Sequence, residues 1–182
     1  MSQELAENVT SVARTAAVGN ILEIICRSTG MGFAVLVRAM HGRWIACAVR
    51  DEMGLGLVPG DEAPFIDSLC NEARAMDGAV YGGQLAAQEF HRRYPAPRRY
   101  SFQSCISVPV PGRNGAFHWA LCAVDRRPMQ VDESHLAGLF TLFAEQLAHI
   151  LELRDELTMR GQLDQSARAA AGAGAGLLPL SD

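Results

Sequence analysis

The sequence contains no lysine: all 16 basic residues are arginine, set against 20 acidic ones for a formal charge of −4. Proteins that grip nucleic acid neutralise phosphates with clustered cations, and this balance argues against that class. With its load of alanine and glycine, the missing lysine reads as coding bias rather than chemistry. No CxxC pair occurs among the five cysteines, Cys26, Cys47, Cys70, Cys105 and Cys122. An odd count without a secretory leader reads as reduced thiols, not a disulfide framework. The opening MSQELAENVTSVARTAA has two glutamates and no apolar segment, so no signal peptide is expected and a cytoplasmic location is. No apolar run approaches the roughly 20 residues that cross a bilayer, so no membrane partner is expected. His41, His91, His118, His135 and His149 form no HxxxH and no Cys/His cluster, so no metal is expected. GxSxG and HExxH are absent, and the glycines at 54, 56 and 60 lack the Lys-Ser/Thr of a phosphate loop.

What is there describes a globular domain. Its 182 residues are 49% hydrophobic and 20% charged, and a chain of this size buries about 70% of its unfolded surface. Residues 1–30 read as a helix in two pieces, with Leu5, Val9, Val12, Ala16 and Gly19 at spacings of four and three before an apolar stretch closed by Gly30. Two β-type runs at 32–38 and 43–50 flank the turn Met40-His41-Gly42, a hairpin signal. A Gly/Pro loop at 51–63 precedes a short amphipathic helix at 64–76, with Phe65, Leu69, Cys70 and Ala73 on one side. A brief strand at 78–81 leads into irregular residues 82–101. A second hairpin follows, 104–110 and 116–124, in which Pro109 predicts an edge position or a bulge. From about Asp132 a long helix runs to about Met159. Leu136, Phe140, Phe143, Leu147, Ile150, Arg154 and Leu157 keep a 4-3-4-3 spacing there, a heptad seam. After Gly161 the sequence reads as a low-complexity tail or linker. The element order predicts an α+β fold: a central antiparallel sheet with helices at both ends of the chain.

Four segments taken in order, MGFAVLVRAMHGRWIACAVRDEMGLGL, YSFQSCISVPV, GAFHWALCAVDRRP and LAGLFTLFAEQLAHIL, resemble a GAF domain, and are most like the GAF input domains of bacterial sensor histidine kinases. The resemblance covers residues 17–153, leaving 1–16 as an N-terminal helical extension and 154–182 as helix end and Ala/Gly-rich tail. It implies N- and C-terminal helices packed on one face of the sheet, commonly in a parallel dimer bundle. On the other face it implies a pocket roofed by the middle helix and the 82–101 loop. GAF domains are usually small-molecule or chromophore sensors, and a few are enzymes.

Specific members of that family test the candidate chemistry. Bilin-binding members carry a thiol in the segment before the fourth strand, but here EFHRRYPAPRRYSFQ has none and the family's later His is matched by Val124, so no covalent bilin is expected. Free methionine-R-sulfoxide reductases are thiol enzymes of this fold. Cys70 and Cys105 would be the pair, with Arg98 or Arg99 supplying the field, although the family's cysteine-rich segment is missing. Haem stays open only through His118, which strand alternation places with Ala120, Cys122 and Val124 on one face. The lysine of the cyclic-nucleotide signature does not exist here. Trp119, where the family carries a small residue, is expected to pack in the core under the terminal helices. The expected ligand-binding residues are Tyr81, Tyr100, Phe102, His118, Cys122 and Cys47, suited to a flat or apolar small molecule. Leu5, Val9, Val12, Phe140, Phe143, Leu147, Ile150 and Leu157 are expected at a homodimer interface. The expected function is a sensor that binds a small molecule and signals through that helical bundle to an output domain such as a kinase. The alternatives are a ligand-free dimerisation or docking module and the thiol enzyme.

Overall fold

The structure, a computed structural model, describes residues 11–13, 15–82, 89, 92–94, 100–112, 118–129 and 133–174. Leu5, Val9 and His91 lie outside them. The chain divides into two compact units, residues 1–148 and 149–182.

Residues 11–13 are helical, and after Thr15 helix α1 (Ala16–Thr29) begins. Val18, Ile21, Leu22, Ile25 and Cys26 form its buried stripe, the three-four spacing of a helix with one face on a core. Gly30 ends it in the left-handed region at φ 72°, donating its N–H to the Cys26 carbonyl at 2.9 Å, a conformation that costs glycine little. Strands β1 (Phe33–Met40) and β2 (Arg43–Asp51) form the expected hairpin across His41-Gly42. Both turn residues have positive φ (50° and 78°), the geometry whose twist matches that of the strands. The pairing slips between Leu36 and Val37, leaving Cys47 as the extra residue of a β-bulge. A single 3-10 turn, Pro64–Ile66, feeds α2 (Asp67–Met76). Then come β3 (Val80–Gly82), β4 (Ser104–Val110), β5 (Trp119–Asp125) and α3 (Glu133–Gly174).

The five strands form one antiparallel sheet in the order β2-β1-β5-β4-β3, the α+β arrangement expected. Every residue of β4 and β5 is buried. Strands covered on both faces need apolar residues at odd and even positions alike, and CISVPV and WALCAV supply them. Since β3 pairs with β4 only as far as Ser107, Pro109 has a strand partner on its β5 side alone and an unpaired edge on the other, the kind of position a residue without an N–H can occupy. Helix α1 packs on β1 and β2.

Two expectations about α3 change. The helix does not give way to a tail after Gly161 but continues to Gly174, because the alanines that look like low complexity are the strongest helix formers. Its seam is also divided. Leu136, Phe140 and Leu147 are buried within the chain itself, as is Val12, so these residues serve the core rather than a dimer surface. Phe143 and Ile150 are half-buried, while Leu157 is 67% exposed. By length and composition alone the stretch His135–Arg168 is apolar enough to cross a membrane, with mean hydropathy 1.3 over its best window. A sequence search for uninterrupted apolar runs passes over it because charged residues are scattered through it.

One polar node joins the ends of these elements. The Asp125 side chain is 3% exposed. It accepts the Gly32 N–H at 2.8 Å, the Arg127 N–H at 2.7 Å and two guanidinium N–H groups of Arg127 at 3.0 Å each. Arg127 also donates to the Gly30 carbonyl at 2.7 Å. The neighbouring Ser104 hydroxyl donates to the Arg127 carbonyl at 2.8 Å and accepts the Met129 N–H at 2.7 Å. Burial pushes the Asp125 carboxyl up, but the hydrogen bonds from the Arg127 side chain and from two backbone N–H groups outweigh it and hold the group below its ordinary value.

Asp125→Ala is expected to lower unfolding stability by about 2–4 kcal/mol at pH 7, because it strands two backbone donors and a guanidinium. A carboxyl lowered in the folded state adds stability that is complete above its unfolded value and fades as the pH falls through the folded one. In urea titrations, the gap between wild type and Asp125→Asn should therefore stay constant above about pH 5 and shrink below about pH 4.

Candidate functional site

Alternation divides the sheet into two faces. Phe33, Val35 and Val37 of β1, Ala120, Cys122 and Val124 of β5, and Cys105 of β4 point to one side. There they meet Leu69, Cys70 and Ala73 of α2, with Trp44 and Ala46 of β2 beside them. Sequence periodicity placed those α2 residues correctly, since 69, 70 and 73 follow the helical spacing. Trp44 ties the roof to the sheet by donating its indole N–H to Asn71 at 3.1 Å.

One end of this enclosed face is aromatic. The Phe65 ring lies 4.5 Å from Tyr100, 5.6 Å from Phe102 and 5.7 Å from Phe33, centroid to centroid. Tyr100 stacks near Phe102 at 6.0 Å. Phe102 is buried, whereas Tyr100 is only half so. Ala39, Val49, Met53, Leu55 and Leu57 are likewise partly buried against the cluster. The polar groups on this face are few, and Ser107 is one of them. Such a surface offers flat apolar contact with little directional demand.

Its centre is a group of thiols. Cys70 and Cys122 approach to 3.1 Å between sulfurs. The Ser107 hydroxyl lies 3.2 Å from the Cys122 sulfur and donates to the Cys70 sulfur at 3.8 Å. Cys105 is buried in the same cluster. Burial raises the Cys70 and Cys105 thiols well above their ordinary value, with the neighbouring Cys122 adding to the rise in both. Cys70 therefore has Cys122 as its sulfur neighbour, where sequence reasoning paired it with Cys105.

Of the six residues expected to bind a ligand, Tyr100, Phe102 and Cys122 come together on this face. The other three do not. Tyr81 pairs with Ile106, while its neighbours Val80 and Gly82 pair with Ser107 and Cys105, so the alternation turns Tyr81 to the opposite face. Cys47 sits in the bulge, where its thiol donates to the Ile45 carbonyl at 3.6 Å, and lies outside the cluster. His118 keeps the register of Ala120 and Cys122 but precedes the strand and is exposed, so it is not enclosed as a haem ligand would be. Trp119 packs on the opposite face, with the Arg38 guanidinium 5.2 Å above its ring. Among the described residues, no group of three His, Cys, Asp or Glu side chains is placed to hold a metal ion.

Phe33, Phe65 and Tyr94 belong to the site without having been assigned to it. Phe33 could have been found by carrying alternation from β5 across to β1, and Phe65 from the apolar side of the 64–76 helix. Tyr94 is buried in the cluster beside an Arg93–Glu72 ion pair at 3.0 Å, and no periodic signal surrounds it in the sequence.

No family model matches this sequence, and no curated protein matches it. Solved structures do. The GAF domain from an Acinetobacter phosphoenolpyruvate-protein phosphotransferase superposes with a TM-score of 0.62 at 13% identity, covering 86% of this chain and 97% of that one. The GAF domain of a two-component sensor histidine kinase from Bacillus halodurans gives 0.56 at 14%, covering 79% and 99%. A type II free methionine-R-sulfoxide reductase from Thermoplasma acidophilum gives 0.59 at 15%, covering 79% and 94%. This chain has the fold of GAF domains, and solved proteins with that fold include sensors and an enzyme.

Phe65→Ala removes the ring that touches the other three aromatics, and is expected to cost about 3–5 kcal/mol in urea unfolding. Tyr81→Ala, on the other face, should leave contacts among those rings unchanged.

Proposed function

We propose that this chain is a cytoplasmic regulatory domain of GAF type that takes a small, flat, apolar molecule against its aromatic end and passes the change on through its long terminal helix. The observation that carries the reading is the half-exposed Tyr100 beside buried Phe65 and Phe102, rimmed by partly buried Met53, Leu55 and Leu57. A ligand there touches residues that also pack α2 and the sheet, so it biases whatever arrangement binds it better. Exposed Leu153 and Leu157, spaced by four on α3, support self-association as the form in which the helix transmits. The output is a kinase or another signalling domain.

The sulfur pair favours the thiol-enzyme reading. Thiolate chemistry, however, needs a sulfur that ionises and meets its substrate, and Cys70 is buried with its thiol raised. That weighs toward regulation.

Native mass spectrometry with an absorption spectrum of the freshly purified protein tests the proposal. A non-covalent mass that is lost or weakened at least tenfold in Tyr100→Ala is the expected result. A ligand-free dimer that stays ligand-free in cell extract would replace the proposal with a docking module. Sedimentation equilibrium should show Leu153→Glu/Leu157→Glu as a monomer where the parent is a dimer.

A further inference from the structure

We infer that Cys70 and Cys122 are a redox modification site: a small hydroperoxide converts them to a disulfide that staples helix α2 to the central strand of the sheet. The geometry is already close to the product. The two sulfurs are 3.1 Å apart and a disulfide holds them at about 2.05 Å, so each has roughly half an ångström to travel. They belong to elements far apart in sequence, Cys70 to α2 and Cys122 to β5.

Ser107 gives the site a second component. Its hydroxyl reaches both sulfurs, at 3.2 Å from Cys122 and 3.8 Å from Cys70. A hydroxyl aimed at a sulfur stabilises the thiolate that must form for either cysteine to react. Among charged groups, Asp67 acts on Cys70 from the first turn of α2 and raises its thiol further. The site is therefore slow by design, and access is the limiting step. Helix α2 supplies that access. It is ten residues long, no side chain caps its N-terminus, and it ends on Asp77 in the left-handed region at φ 50°. A short helix without a side-chain cap opens locally more readily than the sheet beneath it.

The chemistry balances with hydrogen peroxide as oxidant. One thiol ionises and its thiolate attacks a peroxide oxygen; the S–O bond forms, the O–O bond breaks, and the departing hydroxide takes up the proton the thiol released, giving one water and a sulfenic acid on the protein. The second thiol attacks that sulfur; the S–S bond forms, the S–O bond breaks, and the second water leaves. Two thiols and one peroxide thus give one disulfide and two waters, and the protein loses two hydrogens.

The experiment treats the full chain with hydrogen peroxide, blocks remaining thiols, and maps non-reduced peptides by mass. The expected product is a Cys70–Cys122 crosslink, reversed by dithiothreitol, with the melting temperature raised by roughly 5–10 °C and hydrogen exchange of the α2 amides slowed at least tenfold. Cys105→Ala should keep the crosslink, and Ser107→Ala should slow its formation severalfold. Oxidation of folded protein that stops at sulfinic acid, links other cysteines, or leaves Cys70 and Cys122 reduced while exposed thiols of a control peptide oxidise would each overturn the inference. The peptide map of the wild type decides the matter even if Cys70→Ala or Cys122→Ala fails to fold.

Discussion

The Asp125 carboxylate is where the ends of the architecture are held together. A buried charge is tolerable only when its lone pairs are filled, and here both oxygens are engaged by backbone donors and one arginine. The donors come from the start of β1 and from the turn after β5, and Arg127 reaches back to the end of α1. The Asp125 carbonyl also accepts the Gln103 N–H just before β4. Gly32 also leaves room for Met53: a Cβ there would lie 2.5 Å from Met53 Cγ and force that side chain to move. The end of α1, the start of β1, the approach to β4 and the turn after β5 are thus tied together at the C-terminal end of the sheet's central strand.

That sheet separates two kinds of surface. The face bearing Leu121, Ala123 and Ile106 also carries Trp119 and Tyr81, and α1 packs over β1 and β2. The face under α2 carries the aromatic cluster, the thiols and the one serine that addresses them. A small domain with five cysteines could scatter them. Three of these instead lie in one cluster, while Cys26 sits on the α1 side with its thiol pushed up to about 11 chiefly by burial. The regulatory reading and the sulfur pair occupy the same face, so a ligand and an oxidant would act on the same helix.

Much of the fold was legible in the sequence because short apolar runs bounded by turn residues marked both hairpins, and three-four spacing marked the helices and the buried side of α2. The site was half legible. Alternation found Cys122, and the aromatic character of Tyr100 and Phe102 stood out beside strand β4. Tyr81 was misplaced because strand β3 has only three residues, too few for its phase to be read without the pairing that sets it. Cys47 was misplaced by a bulge, which shifts phase by one residue and leaves no mark in composition. His118 kept its phase but fell one residue outside the strand. The tail after Gly161 was misjudged because alanine-rich sequence is compatible with both disorder and helix, and only propensity separates the two.

The two tryptophans have a further consequence. Trp44 lies on the α2 face, its indole bonded to Asn71 and the Arg74 guanidinium 5.6 Å above its ring; Trp119 lies on the other, under Arg38. Each indole is buried, and each faces a cation whose position its excited state senses. The protein therefore carries a native fluorophore on either side of its sheet, and single-tryptophan variants can follow the roof and the opposite face as separate signals.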